Sequence, residues 1–227
     1  MKNLLLLFLY LLNCTIVSGQ KKDSFFSVKS GFSYPVGNYA RCDLEKGSFA
    51  ITGINVNIEG GWYFLPWLGI GGQTGLNRHK LDLQQLAQAK IESDPFLSYI
   101  TIRSEAFRTE SVSAGVYGRW SFLNRFRANG KILGGSMRAK TPYQLYKPQY
   151  FIVGPEYFEI TSSVDYSLLF ICGAGLQCDI TPYLSLVIEA EYQFSKMHFG
   201  FNTSEGLRID EKNISFINLA VGFMVHL

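Results

Sequence analysis

The sequence has few of the residues that build disulfide frameworks and metal sites. Its 227 residues include only four cysteines and three histidines. Cys172 and Cys178 are six positions apart on one predicted strand, roughly 20 Å at about 3.3 Å per residue, which is too far for a disulfide. No histidine accompanies them at zinc-ligand spacing. We therefore expect no cofactor and no metal.

The chain also lacks a large excess of charge of either sign. The chain has 21 Lys and Arg against 18 Asp and Glu, a formal net charge of +3. No run of Lys or Arg follows one face of a predicted element, so nucleic acid is not an expected partner.

The apolar run at residues 4–12 is too short to span a bilayer as a helix. Lys2 precedes it and small residues at 17–19 follow it, which is typical of a secretory signal peptide over residues 1–19. A lipoprotein signal at Cys14 is the alternative. Residues 20–227 are then long enough for one domain.

What the rest of the chain has in abundance is alternation of apolar and polar residues with period two. The C-terminal segment shows it over its whole length, with apolar residues from Ile217 to Leu227 at every second position. Such alternation predicts a β-strand between two different environments. The predicted strands cover residues 26–34, 54–64, 68–75, 112–122, 126–137, 168–176, 184–194 and 214–227. Because a terminal apolar strand is an exposed edge unless paired, we expect it to close a barrel onto the first strand.

The connections between these strands alternate in length. Short turns follow the second, fourth and sixth strands, whereas long connections follow the others. One long connection, 77–107, has the spacing of a short helix, and another, 138–164, is rich in tyrosine. This asymmetry is typical of outer-membrane barrels. We predict an all-β, eight-stranded antiparallel up-and-down transmembrane β-barrel, with short periplasmic turns, long outer loops and both termini on the periplasmic side.

An internal echo supports a repeated hairpin. Trp62-x-Phe64-Leu65 recurs 58 positions later as Trp120-x-Phe122-Leu123. The echo places aromatic residues at one end of the strands, as a girdle at a membrane interface requires. The predicted girdle is Trp62, Phe64, Trp67, Trp120, Phe122 and Tyr183.

Short motifs carry a family resemblance over the whole mature chain. Tyr34-Pro35-x-Gly37-x-Tyr39 follows the first strand, and Gly173-x-Gly175 precedes an Ile180-Thr181-Pro182 turn. With the strand pattern, they resemble the small porin-like outer-membrane β-barrel domain family of Gram-negative bacteria. The resemblance implies an outer-membrane location, surrounding outer-membrane lipid and a non-enzymatic barrel.

The C-terminal strand resembles the assembly signal of bacterial outer-membrane barrels. Gly222, Val225 and Leu227 match that signal, whereas Ala220 and the non-aromatic character of Leu227 depart from it. The resemblance implies contact with the barrel-assembly machinery during biogenesis.

Strand parity predicts which residues face the lumen. In the second, fourth, sixth and seventh strands, even-numbered residues should touch lipid and odd-numbered ones the lumen. Glu59, Arg119, Lys131 and Glu189 have lumen parity and lie at similar distances from the short turns, so we expect them to pair. Glu191 shares the face of Glu189. We expect this charge cluster to plug the lumen; a narrow channel is the alternative.

Two other classes of protein remain open. A soluble lipocalin-like barrel would carry its apolar face inside. An outer-membrane lipid-modifying enzyme would need His79, or His198 near Ser204, and paired carboxylates such as Glu189 and Glu191 could serve acid–base chemistry. If the barrel is not an enzyme, its role lies in the membrane or in its loops. The tyrosine-rich segment 143–157 is then the best candidate for contact with sugars or proteins.

Overall fold

The computed structural model describes residues 24–122, 125–151, 157–203 and 206–227. The predicted signal peptide, 1–19, lies outside the described residues, as do Leu123 and Asn124 of one short turn and Ser204 of the last outer loop. The strands are β1 (Ser24–Pro35), β2 (Gly53–Tyr63), β3 (Leu68–His79), β4 (Leu97–Ser104), β5 (Phe107–Ser121), β6 (Phe126–Lys140), β7 (Gln144–Tyr150), β8 (Phe158–Ile160), β9 (Val164–Asp179), β10 (Leu184–Thr203) and β11 (Gly206–His226). A 3₁₀ turn covers Gly37–Tyr39, and helix α1 covers Leu83–Ser93.

Eight of these strands form a closed antiparallel barrel in the order β1-β11-β10-β9-β6-β5-β3-β2. The ring closes where β1 pairs with β11, from Phe25 opposite His226 to Pro35 opposite Phe216. The predicted fold class is therefore confirmed. The described chain ends lie at the same end of the barrel as the short turns, since Ser24 pairs with Trp62 near the end of β2.

The barrel is apolar outside, and polar side chains are buried inside it at the middle of the strands. Exposed residues at the middle of the strands include Ile58, Ile70, Val116, Ile132 and Ile188. The neighbours of opposite parity, such as Asn57, Gln73 and Ser113, are buried. The predicted parity of outward-facing and inward-facing residues is confirmed. Because an apolar outer band on a closed barrel suits lipid, the barrel has the architecture of an outer-membrane protein rather than of a soluble lipocalin.

The wall is closely packed where β1 meets β11. A Cβ on Gly222 would lie 2.1 Å from the Val28 carbonyl oxygen and 2.6 Å from the Lys29 Cα. Only glycine lets the two backbones approach this closely.

The outer connections form a structured layer that the sequence predicts only in part. The predicted helix is present as α1, and Asp82 caps it by accepting a hydrogen bond from the Gln85 N–H at 3.0 Å. β4, β7 and β8 form a separate three-stranded sheet that was not predicted. No helix in the described segments is long and apolar enough to cross a membrane.

The β10–β11 hairpin extends well beyond the barrel. Pairing of β10 with β9 ends at Ser195, yet β10 and β11 stay paired as far as Thr203 and Gly206. The predicted limits of these two strands, 184–194 and 214–227, were therefore too short. The reason is a change of environment: above the membrane the polar residues Lys196 and His198 are outside, and Met197 and Phe199 are buried inside. The apolar face changes parity, which hides the continuation of the strand.

Candidate functional site: a closed lumen below an outer cavity

A cluster of charged side chains crosses the lumen, with Lys131 at its centre. Its Nζ lies 2.6 Å from Gln73 Oε1, 2.6 Å from Glu189 Oε1, 2.9 Å from Glu59 Oε2 and 2.9 Å from Glu191 Oε2. An ammonium has three N–H donors, so these four oxygens saturate it.

Lys29 on β1 is the second cation. Its Nζ lies 2.7 Å from Glu59 Oε1 and 2.7 Å from Glu189 Oε1. The lumen charge cluster is thus made of Lys29, Glu59, Lys131, Glu189 and Glu191, all of them buried. Sequence reasoning missed Lys29 because it selected residues by distance from the short turns, although the inward parity of Lys29 could have identified it.

The lumen charge cluster contains three carboxylates and two ammonium groups. Glu191 is the carboxylate best supplied with neutral donors. Its Oε1 accepts hydrogen bonds from Asn57 Nδ2 at 3.1 Å and Asn218 Nδ2 at 2.9 Å, and its Oε2 accepts one from Gln73 Nε2 at 2.9 Å. Because hydrogen bonds from amides stabilise a buried carboxylate, the cluster tolerates one excess negative charge.

Arg119 was predicted to belong to this cluster, and that prediction is wrong. Its guanidinium donates to the Pro66 carbonyl oxygen at 3.3–3.4 Å and lies 4.1 Å from the centroid of the Tyr63 ring. Counting residues from the short turns predicts that Arg119 lies at the height of the cluster. Strands in a barrel are tilted and staggered, so equal counts do not give equal heights.

Aromatic rings close the lumen on the periplasmic side of the cluster. The Phe25 ring centroid lies 5.4 Å from that of Tyr63 and 5.3 Å from that of Tyr117. Beside Tyr63, Tyr117 and Lys131 there is a void of only about 10 Å³. This is about the space that one water molecule needs.

A second aromatic group closes the lumen on its outer side. Tyr39, from the 3₁₀ turn, is fully buried, and its ring centroid lies 5.3 Å from that of His79 and 5.6 Å from that of Phe107. The Tyr39 hydroxyl lies 3.3 Å from His79 Nδ1, and Ser33 Oγ lies 2.9 Å from His79 Nε2. We call Tyr39, His79, Phe107 and Phe216 the outer seal, since Phe216 packs against both Tyr39 and His79.

Above the outer seal, the outer layer encloses a cavity of about 540 Å³. This volume is within the range of small-molecule sites. The cavity is bounded by the first outer loop, α1, the β7–β8 sheet and the protruding hairpin. Its apolar lining includes Leu44, Phe49, Leu81, Leu86, Phe107, Pro142, Tyr146, Ile160, Phe199 and Phe201.

Charged side chains complete this outer cavity. Three are basic and two are acidic: Lys90, Arg208, Lys212, Glu159 and Asp210. Arg208 and Asp210 form an ion pair at 2.7 Å, and Glu159 accepts a hydrogen bond from the Tyr143 hydroxyl. Lys212 Nζ donates to the Gly47 carbonyl oxygen at 2.8 Å, and burial lowers the pKa of this ammonium below its usual value. Burial likewise raises the pKa of Tyr146 to about 12.

Phe49 forms part of the cavity wall in a strained conformation. Its φ is 52°, in the left-handed region that side chains with a Cβ rarely adopt. The strain is held by backbone hydrogen bonds from Phe49 N to Arg41 O at 3.2 Å and from Asp82 N to Phe49 O at 2.8 Å. Strain that the surroundings maintain in this way is typical of functional sites.

The predicted girdle residues all lie at the short-turn end with exposed side chains. Gly222 is buried in the wall, whereas Val225 and Leu227 are exposed, and the Leu227 N–H donates to the Ser24 carbonyl oxygen at 2.9 Å. The roles of these residues as a membrane-interface girdle and an assembly signal stay predictions.

The residues considered for an enzyme do not form one site. His79 was expected in a loop, but it is buried in the outer seal. His198 is exposed, 3.7 Å from Glu211 Oε2, on the outer hairpin, and Ser204 is outside the described residues. Glu189 and Glu191 are both engaged by Lys131. Within the described residues there is no group of three or more His, Cys, Asp or Glu able to hold a metal ion.

No protein-family model matches the sequence, and no curated protein does. Among solved structures, the chain is similar to Ail, the attachment invasion locus protein of Yersinia pestis, with a TM-score of 0.46 and 20% identity over 89% of this chain and 99% of that one. It is also similar to a major outer membrane protein of Thermus thermophilus, with a TM-score of 0.47 and 14% identity over 90% of this chain and 99% of that one. The similarity to Neisserial surface protein A has a TM-score of 0.45 and 12% identity over 92% of this chain and 100% of that one. These are likenesses in fold.

Proposed function

We propose that this protein is a non-conducting outer-membrane barrel that presents a ligand-binding cavity on its outer surface. The observation that carries the proposal is the order of layers along the barrel axis. The periplasmic aromatic layer, the lumen charge cluster and the outer seal fill the lumen, and a cavity of about 540 Å³ lies above them in the outer layer.

The lumen layers support a closed barrel because they leave little room for solute. An eight-stranded barrel is just wide enough for its side chains to fill. Here aromatic rings and mutually paired charges occupy it, and removing either ammonium group would leave buried carboxylates without a compensating cation. A channel would need these groups to move.

The outer layer supports a binding role because it consists of regular secondary structure rather than of irregular loops alone. A capped helix, a separate sheet and a long hairpin hold the cavity walls, and one wall residue keeps a strained backbone. Binding sites in proteins are usually preformed cavities of this size with a few placed polar groups.

Thiol labelling tests both parts of the proposal. In a background with Cys42, Cys172 and Cys178 replaced by Ser or Ala, Ile160→Cys places a thiol in the outer cavity and Ser111→Cys places one in the lumen below the outer seal. Both variants are expressed in intact cells and treated with a cationic, membrane-impermeant methanethiosulfonate reagent.

We expect the reagent to modify Ile160→Cys rapidly and Ser111→Cys only after unfolding. Tyr99→Cys, on the exposed face of β4, is the control for an outer thiol that does not line the outer cavity. Rapid labelling of Ser111→Cys in the folded barrel would contradict a closed lumen, and failure to label Ile160→Cys would contradict an outer cavity open to the medium.

A further inference from the structure

The side chains that line the outer cavity limit the chemical class of ligand that it can bind. We propose that it binds a water-soluble amphipathic anion: an apolar or aromatic body carrying one carboxylate, sulfate or phosphate group. This inference rests on the proposed function, because it requires the outer cavity to be a binding site.

The wall of the cavity selects an apolar body. Phe49, Leu86, Phe107 and Phe199 are all buried there, and none of them carries a side-chain hydrogen-bonding group. A sugar would leave its hydroxyl groups unpaired against these side chains, at a cost in free energy. An alkyl or aryl group instead gains from their contact.

The basic side chains select an anionic head. Within the described residues neither Lys90 nor Lys212 forms an ion pair, whereas Arg208 is paired with Asp210. Lys212 is half-buried and its ammonium donates to one backbone carbonyl oxygen, of Gly47, so it retains N–H donors for a ligand. A half-buried ammonium next to an apolar wall attracts an anion more strongly than a fully solvated one does.

The position of Lys212 assigns the ligand to the aqueous phase. The pairing of β11 with β1 ends at Phe216, and Lys212 lies four residues beyond it, about 13 Å at 3.3 Å per residue. Beside Lys212, Lys196 and Glu211 face outward on the hairpin, and both side chains are more than half exposed. The basic groups are thus above the apolar band.

The test measures binding of 2-naphthoate and its neutral analogue 2-naphthalenemethanol to the full barrel in phosphatidylcholine nanodiscs, by calorimetry, with empty nanodiscs subtracted. We expect the wild type to prefer the anion. Lys212→Met should weaken naphthoate binding about 10-fold or more, since a hydrogen bond to a charged group contributes that much. Lys212→Met should leave binding of the neutral analogue nearly unchanged.

Lys212→Arg keeps the charge and should bind naphthoate within about 3-fold of wild type, which separates loss of charge from loss of the Gly47 contact. The matched control is Lys147→Met. Lys147 is exposed on β7 and does not line the cavity, so this variant should bind as wild type does. Heat-modifiable migration in gels confirms that each variant is folded. Phosphatidylglycerol added to the nanodiscs should not compete, and competition would overturn the assignment to a soluble ligand.

Two failures are distinguishable. Equal binding of the anion and its neutral analogue, unaffected by Lys212→Met, would overturn the anionic ligand and leave the binding cavity standing. Binding of neither compound above the empty nanodiscs would overturn this inference, and with the labelling of Ile160→Cys also absent it would overturn the proposed function.

Discussion

At the scale of single residues, Lys131 holds the lumen together. It is 4% exposed and is within 2.9 Å of oxygens from Glu59, Glu189 and Glu191. Replacing it with Met leaves three carboxylates facing one cation. Because breaking a buried ion pair costs roughly 3–5 kcal/mol, we expect Lys131→Met to lower the free energy of unfolding by about that amount, measured by urea unfolding in lipid vesicles.

The matched control is Lys196→Met on β10. Lys196 also pairs with a carboxylate, Glu211, at 2.7 Å, but both side chains are more than half exposed to solvent. The same substitution should therefore change stability far less there. Equal losses at Lys131 and Lys196 would show that the lumen charge cluster does not stabilise the barrel.

Two glycines on the barrel wall differ in what a methyl group would meet. A Cβ at Gly222 collides with the backbone of β1, whereas a Cβ at Gly134 has no heavy atom within 4 Å. We expect Gly222→Ala to reduce the folded fraction strongly and Gly134→Ala to leave it unchanged, measured by heat-modifiable gel migration after refolding. Equal folded fractions for the two variants would contradict the close approach of β1 and β11.

At the scale of elements, β10 passes from lipid to water along one face. Ile188 lies in its apolar outer row, between Leu176 and Val221 of the neighbouring strands. His198 lies on the same face ten residues later, in the ribbon above the barrel. Ile188→Arg should cost roughly 2–4 kcal/mol of unfolding free energy in vesicles, and His198→Arg should cost little. A similar cost at both positions would place the membrane boundary elsewhere on β10.

This change of environment along β10 explains how far the sequence could predict the limits of the strands. Where one environment persists, as along β2, alternation alone identifies the strand and the direction in which each side chain points. In β10 the apolar face moves from Ile188 and Phe194 to Met197 and Phe199 above the membrane, so period-two reasoning ends the strand too early. β4, β7 and β8 are short and pair only with each other, so their sequences contain no long alternation from which the strands could be predicted.

The candidate site was predictable to the extent that it depends on parity. Glu59, Lys131, Glu189 and Glu191 have inward parity, and the structure brings them together. Arg119 also has inward parity but lies at another height, which depends on the stagger of the strands rather than on sequence position. The outer cavity combines residues from Leu44 to Lys212. Contacts over such separations leave no local pattern.

At the scale of the whole molecule, the proposed function assigns different roles to the lumen and to the outer layer. The lumen of the barrel is filled at three heights by the periplasmic aromatic layer, the lumen charge cluster and the outer seal. Its outer layer, built from α1, the three-stranded sheet and the β10–β11 hairpin, holds the cavity. Binding outside a closed lumen requires no passage of solute through the barrel.

Planar-bilayer recording of the purified wild-type barrel tests this closed lumen most directly. The recording uses about 1 M salt, with Lys131→Ala measured in the same way as the variant that removes the central cation. Because aromatic and paired charged side chains fill the lumen, we expect the wild type to insert without steady unit conductance, and Lys131→Ala to admit brief leak currents. A stable unit conductance from the wild-type protein would contradict a closed lumen.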